Sequence, residues 1–439
     1  MKQKNTEAVW PKLRKFLNDV HLWIGLPSGI IVLLICFSGT IYVFNTEIRE
    51  LSSPELYKVR HTAGAQRLSS EKLIEAVGRE TGGKVISIKI PADPERSFVL
   101  TVRKAEESKP GEKKGEKVSG RAEEAGKGSG AERAKGKARA GAAEKSGPPA
   151  RGVQYMVDPY TGKILGNSAD KNAVSEFMQM MFSLHRWLLL DRIEEPLIGE
   201  LPNRKLGSYI SGTATILFTL GVITGIIIWF PQKFRNWKQG LKIKWNANWK
   251  RVNHDLHNSL GFYSCIFLFL MGITGPQWSF EWYRNGLRKS LGTYQSEDAP
   301  KPETPKSDIA KIGITKSALI SDYIISVDKT LDYHGDVTIS IPADSADAVL
   351  INKTKTGFFA PVAADKIYLD QYTSAPVRSE IFSEKPFNER VSSSIKALHV
   401  GDVYGKFSKI IYFLACLIAT SLPVTGTMIW INKMKKERR

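Results

Sequence analysis

Four histidines occupy matched places in the two halves of this 439-residue chain. His21 closes Asn18-Asp19-Val20-His21 and is followed by x3-Gly25. His257 closes His254-Asp255-Leu256-His257, 236 residues further on, and is followed by x3-Gly261. His185 in Ser183-Leu184-His185 answers to His399 in Ala397-Leu398-His399. An imidazole is a ligand for haem iron, and two helices that each present one His can clamp a porphyrin edge-on. Paired by level, His21 with His257 and His185 with His399 give two bis-histidine sites. A flat ring needs small residues beside it. Gly25, Gly39, Gly261 and Gly275 supply gaps along the first and third apolar stretches, and Gly225, Gly405 and Gly426 along the other two. Glycine also lets helices pack closely in lipid, so these positions carry little weight alone.

A single interfacial histidine is ordinarily a polar boundary residue; four at equivalent positions are harder to read that way. His254 lies three residues before His257 on one helix face, where it could contact a propionate or replace His257 as ligand. His61 and His334 have no matched partner and read as exposed loop residues. Zinc is the competing metal. It prefers four ligands, and each level offers two histidines plus Asp19 and Asp255, which could instead orient an imidazole or cap a helix. Basic residues flank both levels. Arg14, Lys15, Lys250 and Arg251 surround the first pair, and Arg186 and Lys396 the second.

The elements that must position these side chains are apolar and long. Residues 22–44, 206–230, 256–280 and 410–432 contain no Asp, Glu, Lys or Arg, and about 20 such residues cross the hydrocarbon core of a bilayer. Trp23, Trp229, Trp278 and Trp430 lie near their ends, where amphipathic rings favour the interface. The sequence therefore predicts a membrane α-helical protein with four transmembrane helices, at 21–45, 206–230, 255–280 and 410–432. Segments 1–20, 231–254 and 433–439 hold 17 Lys/Arg against three acids, a local charge of +14 out of +19. Positive charge stays on the cytoplasmic side, so both termini are expected inside. This placement favours a topological role for the charge over nucleic-acid binding. The three cysteines, Cys36, Cys265 and Cys416, all fall in spans, which excludes a disulfide or Cys-based metal framework outside them. The N-terminal apolar run is too long for a cleaved signal peptide.

The duplication reaches beyond the histidines. Ser38-Gly39 matches Thr274-Gly275, and Thr224-Gly225 with Trp229 matches Thr425-Gly426 with Trp430. Ile90-Pro91-Ala92-Asp93 matches Ile341-Pro342-Ala343-Asp344, and Asp158-Pro159-Tyr160-Thr161 matches Asp370-Gln371-Tyr372-Thr373. The order is the same in both halves, which makes two parallel repeats, each of span, outer module, His-bearing segment and span. The outer modules, 46–172 and 281–387, read as α+β. Helical patterns cover 69–81 and 316–329, and strands 85–90, 98–102, 337–341 and 366–369. Residues 173–190 and 388–400 suit helices lying on the membrane surface. Residues 104–150, built of Gly, Ala, Lys, Glu and Ser, cannot form a core and read as a disordered insert. The chain has no phosphate-binding Gly-rich loop, no H-E-x-x-H and no nucleophile elbow. Electrons for any redox role would come from a quinol or a separate donor protein.

The run Asp19-Val20-His21-Leu22-Trp23-Ile24-Gly25 with Ser38-Gly39, then Ser183-Leu184-His185-Arg186-Trp187, the Thr-Gly-x3-Trp span endings and Asp255-Leu256-His257-x3-Gly261 together resemble the PepSY-associated transmembrane family. The modules around Asp158 and Asp370 resemble PepSY domains. The second has Ser374 where the first has Gly162, which leaves its turn open. The resemblance implies a bacterial inner-membrane protein similar to ferric-siderophore reductases, with two b-type haems on His21, His257, His185 and His399 and a periplasmic acceptor such as an Fe(III)-siderophore. Reduction loosens such a chelate, because Fe(II) is softer and less charged. The alternative is a non-redox membrane-anchored protein whose outer modules bind or inhibit a periplasmic partner.

Overall fold

The computed structural model describes residues 4–62, 64–104, 152–231, 237–296, 299–300, 303–308, 310 and 317–437. Four of its helices are long and apolar enough to cross a membrane: Lys4–Tyr42, Asn203–Trp229, Trp249–Thr274 and Gly405–Glu437. Their limits differ from the apolar stretches for physical reasons. The first helix starts at Lys4 rather than at residue 21, and the fourth extends past residue 432, because charged residues end a hydrocarbon span without ending a helix. The third stops at Thr274, not at residue 280. Pro276 opens a short 3-10 turn, Pro276–Trp278, since it has no N–H to continue the ladder.

The first span packs against the second and fourth, and the third packs against the same two, so the first and third face each other across the bundle. Small residues mark the crossings. A Cβ on Gly29 would stand 3.3 Å from Pro423, and one on Gly272 would overlap Thr219. Leu268, Ala415 and Ala419 form the buried centre, with Cys36, Phe218 and Met271 around them. Arg14 donates to the Ile228 carbonyl at 3.0 Å, tying the start of the first span to the end of the second. Lys409 pairs with Glu47 at 2.8 Å at the opposite end.

The segments between spans one and two, and between three and four, build a sheet at that second end. Its strands are β1 (Gly83–Ile90), β2 (Phe98–Lys104), β3 (Val153–Val157), β4 (Ile164–Asn167), β5 (Gly335–Ser340), β6 (Val349–Lys355), β7 (Ala364–Leu369) and β8 (Pro376–Glu380). Their order is β4-β3-β2-β1-β5-β6-β7-β8, antiparallel throughout. Two separate modules were expected from the sequence. The structure instead joins the halves into one sheet, through Ser87↔Ser340, Ile88↔Ile339, Lys89↔Thr338 and Ile90↔Val337. Each four-stranded half alone would leave β1 or β5 as an open edge with unpaired N–H and C=O groups, and joining removes both edges. Helices Ser70–Thr81 and Ile320–Thr330 cover one face. Leu73, Val77, Tyr323 and Val327 pack there with Ile88, Leu100, Ile339 and Ile367 in a single core. Helix Ala173–Trp187 lies within the expected segment 173–190. Segment 388–400 is divided at Ser394 into helices Phe387–Ser393 and Ile395–Val400.

The repeated Asp-x-Tyr-Thr motif is a turn. Asp158 accepts from the Tyr160 N–H at 2.8 Å and from the Thr161 hydroxyl at 2.8 Å. Asp370 accepts from the N–H groups of Tyr372 and Thr373, the Thr373 hydroxyl and the Asp308 N–H. Burial resists ionisation of Asp370, but these donors prevail and hold its carboxyl below the usual carboxylate range. The second turn closes like the first although Ser374 replaces Gly162. Ser374 adopts φ +58°, close to the +76° of Gly162, and its N–H reaches the Asp370 carbonyl at 2.9 Å. The side-chain bonds of Asp370 offset the cost of a left-handed non-glycine residue.

Apart from Lys104, the last residue of β2, the insert 104–150 lies outside the described residues. It connects two adjacent strands, with Val102 paired to Val153. Replacing 105–151 by a four-residue turn should therefore leave the melting temperature and membrane yield unchanged. A fall in either would assign the segment a structural role.

Candidate functional site

Each of the four matched histidines lies against a glycine on a neighbouring helix. His21, on the first span, faces Gly225 on the second, where an added Cβ would stand 3.3 Å from the imidazole Cε1. His257, on the third, faces Gly426 on the fourth at 3.2 Å. His185, on helix Ala173–Trp187, faces Gly39 on the first span at 3.1 Å. His399, on helix Ile395–Val400, faces Gly275 at the end of the third at 3.4 Å. An added Cβ at Gly225, Gly426 or Gly39 would require the ring to shift by a few tenths of an ångström, whereas at Gly275 the tighter neighbour is Thr215, at 3.1 Å.

A hydrogen bond to Nδ1 fixes each ring. The His21 Nδ1 lies 3.0 Å from the Gly221 carbonyl and 3.0 Å from the Thr224 hydroxyl. The Nδ1 of His257 lies 2.9 Å from the Thr425 hydroxyl, that of His399 3.0 Å from the Thr274 hydroxyl, and that of His185 2.8 Å from the Ile35 carbonyl. The three threonine hydroxyls are each within donating distance of backbone carbonyls one turn back: Leu220 and Gly221, Ser421 and Leu422, Leu270 and Met271. Their protons are used there, so each oxygen accepts from an imidazole N–H. All four rings thus carry their proton on Nδ1 and keep the lone pair on Nε2. This is how a ligating histidine is held, one nitrogen oriented by an outer partner and the other free for the metal.

The rings meet in the pairs expected by level. His21 and His257 have centroids 6.3 Å apart at 82°, and His185 and His399 6.1 Å apart at 62°. Two imidazoles that bind one metal ion from opposite sides through bonds of about 2.0 Å have centroids roughly 6 Å apart, against roughly 5 Å at a tetrahedral angle. Gly25 and Gly261 lie four residues after His21 and His257, on the same helix faces. A Cβ on Gly25 would meet nothing within 4 Å, and one on Gly261 only Leu422 at 3.8 Å, so open space adjoins the first pair. Gly405 has no such role. It starts the fourth span with φ +57° among the carbonyls of Gly357, Phe358 and Ala360.

Among the described residues no three His, Cys, Asp or Glu side chains are placed to share an ion. Two protein ligands leave a bare zinc ion short of its four, whereas haem brings four nitrogens of its own and needs two more. The donor set therefore fits haem. Asp255 does not join His257. It accepts from Arg251 at 2.8 Å and from the Lys244 N–H at 3.2 Å, pinning the loop before the third span. Asp19 is exposed. His254 is half-exposed, its ring 3.2 Å from the Asn258 amide and 3.7 Å from the Asp255 carboxylate. Of the flanking cations, Arg14 is bonded to Ile228, Arg251 to Asp255, and Arg186 to the Trp278 carbonyl at 2.8 Å. Lys15, Lys250 and Lys396 are exposed. Trp278 also meets the His399 ring edge-on, with centroids 5.0 Å apart.

Sequence reasoning missed the outer partners Thr224, Thr274 and Thr425. The signal was present in the recurring hydroxyl–glycine dipeptides, read only as marks of duplication. In three of the four, the glycine seats a ring and the hydroxyl beside it holds that ring's Nδ1. In Ser38-Gly39 the serine bonds instead to the Leu34 and Ile35 carbonyls, and the Ile35 carbonyl takes the His185 proton.

The family model described as PepSY-associated TM region matches residues 19–433. No curated protein matches the chain.

Proposed function

The chain belongs to the PepSY-associated transmembrane family, and from that membership together with its two opposed imidazole pairs we propose that it is a dihaem electron carrier of the bacterial inner membrane. Its acceptor would be periplasmic, an Fe(III)-siderophore by the resemblance, and its donor a quinol or a separate protein. The observation that carries the reading is the geometry of the pairs: ring separations of 6.3 and 6.1 Å with every Nδ1 occupied. His21 with His257 would hold one b-type haem and His185 with His399 the other. Each group, when bound, supplies reversible one-electron redox chemistry.

The chain's own residues do the rest. Along the third span, His257 and the Gly275 seat of His399 are 18 residues apart, about 27 Å of helix, against a hydrocarbon core of about 30 Å. The two pairs would thus lie near opposite faces of the membrane. Thr224, Thr274, Thr425 and the Ile35 carbonyl hold the proton on Nδ1 and so keep Nε2 available. Leu268, Ala415 and Ala419 exclude water between the levels. The positive segments support a cytoplasmic side for both termini, and the sheet, at the far end of the bundle, would then lie outside.

Protein purified from haem-replete cells should show a b-type spectrum that changes on reduction, with two haem equivalents per chain. A colourless preparation would overturn the reading and leave the non-redox alternative, a membrane-anchored protein acting on a periplasmic partner. Thr425→Val removes the hydroxyl that accepts the His257 Nδ1 proton at 2.9 Å while keeping the side-chain shape. Loss of such a partner costs about 10–100-fold in metal affinity, so the inner haem should dissociate faster during dilution in detergent while the outer one is unaffected. Equal dissociation of both would refute the role given to Thr425.

A further inference from the structure

One exposed apolar feature belongs to neither site. The loop between β6 and β7 carries Phe358 and Phe359, which are 47% and 63% exposed. Soluble surfaces seldom present two adjacent phenylalanines at the tip of a loop. This tip is also held in place. The Phe407 N–H donates to the Phe358 carbonyl at 3.2 Å, and the Val362 N–H reaches the Val403 carbonyl at 3.4 Å. The loop thus supplies an acceptor to the first turn of the fourth span, where helix N–H groups have no partner of their own. A Cβ at Gly405 would come within 3.1 Å of the Gly357, Phe358 and Ala360 carbonyls.

What the tip touches identifies its surroundings. The Phe359 ring lies 5.0 Å from that of Phe407 and 4.8 Å from Phe358. Phe407 heads a row of exposed side chains on the fourth span, Ile410, Leu414, Leu417, Val424 and Met428. Their spacing of three, four or seven residues places them on one helix face, away from the buried Ala415 and Ala419. In a spanning helix that face meets lipid. Lys406, exposed beside Phe407, marks the level at which cationic side chains reach headgroups.

We propose that the β6–β7 loop is a membrane anchor of the sheet, with Phe358 and Phe359 inserted into the outer leaflet as an upward continuation of the lipid-facing row of the fourth span. The partner is the bilayer, in the acyl region just below the headgroups. Lipid on the exposed side of the rings and the span's first turn on the other hold the loop, and through β6 and β7 the sheet, at a set height over the bundle. The inference is independent of whether haem is bound.

A spin label tests it. Cys36, Cys265 and Cys416 are replaced by Ala, and a single cysteine is introduced as Phe359→Cys, with Ile410→Cys as a lipid-facing reference and Lys84→Cys, on the exposed end of β1, as an aqueous one. The full chain is reconstituted in phosphatidylethanolamine–phosphatidylglycerol vesicles. The label at 359 should be relaxed by oxygen and shielded from a water-soluble nickel chelate, as at 410. Phe358→Cys gives a second reading should the 359 variant fold poorly. Chelate access at both 358 and 359 equal to that at 84 would overturn the anchor.

Discussion

His399→Ala should leave the protein with about one haem in place of two, and that one should still be reducible from the inner side. The same is expected of His185→Ala, because neither imidazole alone completes six-coordinate iron. His21→Ala and His257→Ala should empty the other level and leave the outer haem bound but without a route for electrons from inside. His254→Ala should change nothing, since its half-exposed ring contacts Asn258 and Asp255 rather than His21. The measurement is haem content by spectrum, together with reduction of an external Fe(III) chelate by vesicles supplied with donor inside. Full haem content in all four single variants would remove the assignment. Loss in His254→Ala without loss in His257→Ala would shift the inner ligand by one turn.

Gly207→Val should dismantle the outer site without touching any ligand. The second span crosses the end of helix Ala173–Trp187 at this glycine. A Cβ there would overlap the Trp187 carbonyl oxygen and lie 2.8 Å from the carbonyl carbon. Both partners are backbone, so no rotamer change relieves the clash. The Ser211 hydroxyl, one turn on, donates to the Arg186 carbonyl at 2.9 Å and fixes the same crossing. Overpacking costs roughly 1–3 kcal/mol, and the least resistant response is for the short helix to lift from the bundle, carrying His185 off its 2.8 Å bond to Ile35. A lower melting temperature and loss of about one haem equivalent are expected, with the inner haem retained. Gly286→Ala is the control: on helix Glu281–Ser290, its added Cβ meets nothing within 4 Å. Full haem content in Gly207→Val would mean that the crossing does not position His185.

Much of this was legible in the sequence, because the signals were strong and one-dimensional. Uncharged runs of more than 20 residues have few uses other than crossing a bilayer. Duplication exposed which histidines belonged together, since an equivalent position in each half marks a residue that a symmetric arrangement brings to a shared axis. What the pattern could not supply was orientation about the helix axis. The 236-residue offset favoured His257 but left His254 open as an alternative, and it is the packing of the third span against the fourth, opposite the first, that brings His257 to His21 and Thr425. Arg186 and Arg251 read in the sequence as basic residues flanking the pairs, whereas folding assigns them to Trp278 and Asp255. The sheet was misjudged as two modules for a related reason. A strand's own residues specify alternation but not which edge it will meet, and β1 and β5 are separated by two membrane crossings.

The sequence by itself determined the number of spans, the duplicated order and the identity of four chemically capable imidazoles, because length, charge and repetition are properties of the chain. Only the tertiary structure decided the rest: which glycine seats each ring, which hydroxyl takes its Nδ1 proton, and that the pairs stand 6.1 and 6.3 Å apart. Those depend on how helices distant in sequence cross, and a crossing is fixed by the interlocking of two surfaces rather than by either alone.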